Sequence, residues 1–184
     1  MSWAAHVTAL RAGGVIACPT ETLYGLLADA RNPAAVARVI AIKQRGDAPI
    51  GLLAPDLASV LAQCQLGDKA RELASRHWPG PLSLVVRVKD KHQLAPGIVH
   101  HGTVSIRVPG ASAALELAQE FGNVLTATSC NPSGSPAAET PEQVKAYFAQ
   151  QVTIVPGYAS GLASTIVDAT GDEPKVLRQG AIEV

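Results

Sequence analysis

Short β-branched apolar runs recur along this chain, each closed off by glycine, proline or a capping residue, with helical stretches between them. That alternation restricts the fold more than any other feature. Leu82-Ser83-Leu84-Val85-Val86-Arg87-Val88 is the strongest strand signal, too short and too β-branched for a helix. Thr103-Val104-Ser105-Ile106-Arg107-Val108 alternates polar and apolar until Pro109-Gly110 stops it. Further strands are expected around residues 15–17, 49–54, 123–128, 152–155, 164–167 and 175–178, with residues 24–30 extended or turning back. The helices between them carry terminal signals. One runs from a Ser2 cap to Arg11, with Gly13 as a left-handed stop. Asn32-Pro33 opens another that ends near Gly46, cap and N1 proline in place. Asp56 caps a short one through Cys64, and Asp68 one through Trp78. Residues 112–121 and Thr140-Pro141-Glu142-Gln143 supply the last two. There is no repeat and no low-complexity linker. Interleaved strands and helices predict an α/β fold, residues 1–184 forming a single domain around a mostly mixed sheet flanked by helices.

At 184 residues such a domain can bury roughly 70% of its unfolded surface. Apolar residues make up 47% and aromatics 4%, so Ala, Val, Leu and Ile must build the core. Fifteen basic and fifteen acidic residues cancel, which argues against a general electrostatic grip on nucleic acid or membrane. The three cysteines form no C-x-x-C, as suits free thiols in a reducing compartment. The N-terminus lacks a charged segment followed by an apolar core. No apolar run approaches the ~20 residues of a membrane span. A cytoplasmic protein is expected.

Candidate chemistry gathers at strand ends. Cys18-Pro19-Thr20-Glu21-Thr22-Leu23-Tyr24-Gly25 puts two hydroxyls and a carboxylate just after a buried strand, where open α/β sheets bind ligands; a polar turn would use the same residues. Gly46-Asp47-Ala48-Pro49-Ile50-Gly51 has P-loop glycine spacing, but Leu52 stands where lysine is required. Lys43 and Arg45 sit at a helix C-terminus, where the dipole favours cations anyway, yet the turn that follows could aim them into a cleft. Arg107 shares a strand face with Ser105, opposite Val104, Ile106 and Val108. A guanidinium there could grip a carboxylate through two hydrogen bonds. Arg178 is a third basic candidate. Ser129-Cys130-Asn131-Pro132-Ser133-Gly134 is a permissive loop able to donate to phosphate oxygens, or a plain turn. Gly161-Leu162-Ala163-Ser164-Thr165 repeats that theme. Cys130 has no evident base, and His100-His101 reads as loop, with no metal ligand set.

Together these segments resemble the YrdC-like threonylcarbamoyl-AMP synthases in their short form. The resemblance runs from Gly14 to Gly180. It rests on Pro19-Thr20-Glu21-Thr22-Leu23-Tyr24-Gly25-Leu26, Ile42-Lys43-Gln44-Arg45, Trp78-Pro79-Gly80-Pro81-Leu82-Ser83, residues 103–109, residues 128–134, Ser164-Thr165-Ile166-Val167-Asp168 and Leu177-Arg178-Gln179-Gly180. The paired K-x-R and S-x-N, here Lys43/Arg45 and Ser129/Asn131, characterise the family. The resemblance implies a twisted sheet with a concave, positively lined cavity. It implies an enzyme that makes threonylcarbamoyl-AMP and pyrophosphate from ATP, L-threonine and bicarbonate. Downstream proteins would pass the threonylcarbamoyl group to a tRNA adenosine beside the anticodon, and direct tRNA contact is conceivable. By position, Lys43 and Arg45 become the catalytic pair. Lys43, Arg45, Thr103, Ser129, Asn131 and Arg178 become the ATP set, and Thr20, Arg107, Thr126 and Ser164 the threonine set. Mg2+ is expected on the phosphates, without an identifiable protein ligand.

The chain departs from the family pattern in places. Leu53 stands where many relatives carry His, Leu27 where many carry Gly, Cys130 for a usual Ala and Pro132 for a usual Leu. The extra C-terminal domain of longer relatives is expected to be missing. Two alternatives stay open: an RNA-binding module of the same fold without ATP turnover, and a domain that forms a carbamoyl-adenylate.

Overall fold

The computed structural model describes residues 2–44, 49–89, 94–159 and 161–184. Helix starts follow the supply of acceptors for orphan backbone N–H groups. Among the described residues two helices lack a side-chain cap; in the first, α1 (Ala4–Arg11), Trp3 occupies the N-cap. Ser2 is not used, because Trp3 is buried and its indole N–H donates to Glu116 (3.2 Å), anchoring the helix by tertiary packing instead. Gly13 takes the expected positive φ of 80°. Asn32 accepts from the amides of Ala34 and Ala35 to open α2 (Pro33–Lys43), which ends in a left-handed Gln44; Gly46 lies outside the described residues. Asp56 accepts from Ser59 N ahead of α3 (Leu57–Gln63). In α4 (Asp68–His77) the cap position belongs to Gly67, so Asp68 sits in the first turn, where its charge still favours the dipole. Ser112 caps α5 (Ala113–Phe121). Thr140 and Gln143 form a reciprocal capping box on α6 (Pro141–Phe148).

The strands are β1 (Ile16–Pro19), β2 (Tyr24–Leu27), β3 (Gly51–Leu53), β4 (Cys64–Gln65), β5 (Leu82–Val88), β6 (Thr103–Arg107), β7 (Leu125–Ser129), β8 (Thr153–Ile154), β9 (Thr165–Asp168) and β10 (Lys175–Arg178). Among the described residues they form one mixed sheet in the order β10-β9-β5-β6-β3-β7-β2-β1-β8, with β4 also on β5. The pairs β1/β8, β3/β6 and β5/β9 are parallel. β2 turns back antiparallel on β1, with Pro19 opposite Tyr24. β4 departs from expectation: Cys64 leaves the helix and, with Gln65, pairs with Val88 and Arg87, whose ladder groups need partners.

Alternation along the strands gives the sheet two unlike faces. Ala17, Leu26, Leu52, Leu84 and Ile106 face one core, completed by Val36 and Val39 of α2, Ala70 and Ala74 of α4 and Val144 and Phe148 of α6. Ile16, Cys18, Leu27, Leu53 and Leu125 face the other, under Val7 and Leu10 of α1 and Leu117 and Phe121 of α5. Those two helices cover only part of the second face. Beyond them the same face carries Gly25, Gly51, Ser83, Ser105, Ala127 and Ser129, and there the sheet lies open.

Candidate active site

The open part of that face is the floor of a cavity of about 510 Å³, within the usual range of about 300–1,000 Å³ for small-molecule sites. Register shows how the floor is assembled. Gly25 is opposite Ser129, Gly51 opposite Ala127, Val85 opposite Ser105 and Ser83 opposite Ile166, so each pair directs its side chains, or their absence, the same way. Small residues keep the floor low, and polar groups from distant parts of the chain stand around it.

One wall is the loop between β1 and β2. The Thr20 hydroxyl accepts from the amides of Thr22 and Leu23 (both 3.1 Å), donates to the Leu23 carbonyl (2.7 Å) and lies 2.9 Å from the Thr22 hydroxyl. A single side chain thus shapes the turn, as short hydroxyl residues do. Arg107, at the end of β6, is buried against this loop. Its Nη1 donates to Glu21 Oε1 at 2.6 Å and its Nη2 to the Thr22 hydroxyl at 3.2 Å. Burial draws the Arg107 pKa below the usual arginine value, and the Glu21 carboxylate pushes it back up. The Arg178 charge lowers it further, so the two guanidinium groups sense one another.

The opposite wall comes from β9, β10 and the end of β5. Arg178 donates to the Ser164 carbonyl from Nη2 (2.7 Å) and Nε (3.2 Å), and to its hydroxyl (3.3 Å). The hydroxyls of Ser164 and Ser83 are 2.9 Å apart. Burial lowers the Arg178 pKa as well. Two cations therefore border one hollow, with the Glu21 carboxylate paired to only one of them. Such a site attracts anions.

Lys43, from the K-x-R segment, meets the S-x-N segment. Lys43 Nζ donates to the Ser129 carbonyl (2.6 Å), the Asn131 side-chain oxygen (3.0 Å) and the Ser129 hydroxyl (3.3 Å). Lys43 and Asn131 are buried behind Ser129, which lines the cavity itself. Arg45 lies outside the described residues.

Thr20, Arg107, Ser129, Ser164 and Arg178 are thus brought together around one hollow, with Lys43 and Asn131 just behind. Two expected residues are not. Thr103 starts β6, and its hydroxyl donates to the His100 carbonyl (2.8 Å). Four residues separate it from Arg107, about 13 Å along a strand, and it is absent from the lining. Thr126 is fully buried on the far face, donating to Leu26 O (3.0 Å) and accepting from Ala28 N (2.9 Å). Strand alternation turns it away from the cavity while Ala127 faces in. Leu53, at the family's His position, lies beneath the covering helices.

Glu21 and Thr22 belong to the polar stretch after β1 that the sequence marked, without a role assigned to either; Thr22 lines the cavity and Glu21 holds Arg107 behind it. Ser83, which also lines the cavity, was not singled out. A usable signal existed for Ser83, a lone hydroxyl in an apolar strand. Cys130 is fully buried, and burial pushes its thiol up to about 12. Among the described residues no three His, Cys, Asp or Glu side chains cluster as a metal cage, and no helix is long and apolar enough to cross a membrane. A divalent ion is not well served by these side chains, since Glu21 already serves Arg107.

Comparison with known proteins agrees with this geometry. The Sua5/YciO/YrdC family model, described as "Telomere recombination", matches residues 8–180. The chain belongs to the Sua5/YciO/YrdC family. A Mycobacterium tuberculosis relative named putative threonylcarbamoyl-AMP synthase is 39% identical over 181 residues, covering 96% of this chain and 82% of that protein. The family fold is reproduced closely. Pyrococcus abyssi Sua5, solved in complex with L-threonine, superposes with a TM-score of 0.90 at 31% identity, over 96% of this chain and 53% of that one. Escherichia coli YciO superposes with a TM-score of 0.84 at 25% identity, over 97% and 89%.

Proposed function

We propose that this chain is an L-threonylcarbamoyladenylate synthase, a nucleotidyltransferase that forms threonylcarbamoyl-AMP and pyrophosphate from L-threonine, bicarbonate or CO2, and ATP. The observation that carries the reading is the convergence of Arg107, Arg178, Thr20, Ser129 and Ser164 on one small-floored cavity. The threonine-bound Pyrococcus abyssi neighbour supports an amino-acid subsite of the same kind. In this reading Arg107 binds the threonine carboxylate beside Thr20, and Ser164 holds the amino acid from the other side. Ser129, Asn131, Lys43, Arg45 and Arg178 receive the ATP phosphates. Arg178 touches Ser164 directly, so the two substrate sets abut.

The chemistry suits such a site. The threonine amine adds to CO2 and loses a proton to give a carbamate. A carbamate oxygen then attacks the α-phosphorus, and the bond to pyrophosphate breaks as it leaves. No protein nucleophile is needed. Positioning and neutralisation of developing charge do the work, as in other phosphorus transfers. ATP carries its own divalent ion, held chiefly by phosphates and water. The product would be consumed by proteins that transfer threonylcarbamoyl to a tRNA adenosine, and the chain would act in the cytoplasm.

The test is pyrophosphate release from ATP. It is expected only when threonine and bicarbonate are both present. Turnover with carbamoyl phosphate in their place would mark a carbamoyl-adenylate former, and tRNA binding without turnover an RNA-binding module.

A further inference from the structure

Glu21 has no place in the chemistry above, yet it is paired and partly buried. It contacts Arg107 through one oxygen alone, at 2.6 Å, while its other oxygen, Oε2, is buried without a partner among the described residues. Arg107 has five N–H donors, of which Glu21 takes one and Thr22 another. A two-pronged carboxylate pair would be the stronger contact. The single-pronged one spends less of the guanidinium and leaves N–H groups for a ligand. The stem of Glu21 is confined too: a Cβ on Gly110 would come within 3.1 Å of Glu21 Cγ. Glu21 and Thr22 are consecutive residues of one loop, so both arms of the guanidinium are tied to a single turn. The carboxylate also offsets the cost of burying the cation.

We propose that Glu21 is a positioning residue, which aims the Arg107 guanidinium at the substrate carboxylate by holding one of its arms from the β1–β2 loop. This rests on the reading of Arg107 as the carboxylate-binding group. It specifies hydrogen-bond aim rather than charge as the essential contribution, since Thr22 does the same for the second arm with a neutral hydroxyl.

The experiment is steady-state pyrophosphate release by the full chain, with threonine and ATP varied separately. Glu21→Ala is expected to raise the threonine KM about ten-fold or more, with kcat and the ATP KM within about two-fold of wild type. Glu21→Gln keeps a carbonyl oxygen facing Nη1 and is expected to restore most of the threonine KM. Gly110→Ala, which displaces the Glu21 stem, is expected to raise the threonine KM in the same selective way; it serves if Glu21→Ala does not fold. A wild-type threonine KM in both Glu21→Ala and Gly110→Ala overturns the proposal. So does equal impairment of Glu21→Ala and Glu21→Gln, or parallel loss of kcat and ATP affinity. If Arg107→Ala itself leaves the threonine KM unchanged, the reading of Arg107 fails instead.

Discussion

Lys43 shows how one side chain can serve structure and ligand together. Its ammonium donates to a carbonyl, an amide oxygen and a hydroxyl of a loop more than eighty residues away in the chain, binding α2 to the end of β7. Placed behind Ser129, it also supplies positive charge where the phosphates are proposed to lie. Lys43→Ala should therefore act twice. It leaves buried acceptors unpaired, which costs about 1–3 kcal/mol of stability, and it should raise the ATP KM while leaving the threonine KM near wild type. Thermal unfolding and separate substrate titrations distinguish the two effects. Arg107→Ala should show the converse selectivity, losing about 1.5–3 kcal/mol of threonine binding, read as the threonine KM or by calorimetry.

Strands β2 and β3 each contribute a glycine to the cavity floor, for different reasons. A Cβ on Gly51 would lie 2.9 Å from the Ala127 carbonyl, so close backbone approach requires glycine there. At Gly25 the nearest atoms would be 3.6–3.8 Å away, ordinary contact distance, and φ is not positive. The space above Gly25 is therefore part of the cavity and not a packing requirement of the fold. Gly25→Ala should fold with a melting temperature close to wild type yet lose substrate affinity, whereas Gly51→Ala should lower the melting temperature. Differential scanning fluorimetry beside the pyrophosphate assay checks both. Among the helices, the α6 box is a local stabiliser alone: Thr140→Ala should cost about 1 kcal/mol in chemical unfolding, with turnover unchanged.

For the molecule as a whole, burial sets the response to alkali. Cys18, Cys64 and Cys130 are each pushed from 9.0 up to about 12, and Tyr24 from 10.0 to about 12, all chiefly by desolvation. Folded-state pKa values raised above the unfolded ones mean that the unfolded chain releases protons first. The stability linked to these groups is complete below about pH 9 and lost as the pH rises from there toward about 12. Urea midpoints should fall across that interval, and a Cys64→Ala variant should show a shallower decline than wild type, whatever its starting stability. Asp56 and Asp168 run the other way. Hydrogen bonds from Ser59 and Thr170 hold their carboxyls low, so their contribution is present above the ordinary aspartate range and disappears as acid protonates them.

Local chemistry determined much of this protein without reference to the fold. Asn32-Pro33, Asp56, Ser112 and the Thr140 box open helices because each supplies an acceptor within reach of its own next turn. The runs at residues 82–88 and 103–107 form strands because short apolar, β-branched stretches suit a buried pleat. The face shared by Ser105 and Arg107 follows from the period of two. Tertiary structure decided what those rules cannot reach. Trp3 displaced Ser2 at the head of α1 because a core was waiting for the indole. Cys64 left its helix to join Gln65 in a ladder that exists only once β5 is in place. Thr126 turned to the far face and Thr103 fell a strand's length from the cavity, although the family resemblance had grouped both with the site by position. The pairing of Glu21 with Arg107, across 86 positions, follows from strand order and register, which arise from the packing of all the elements at once and from no single stretch of chain.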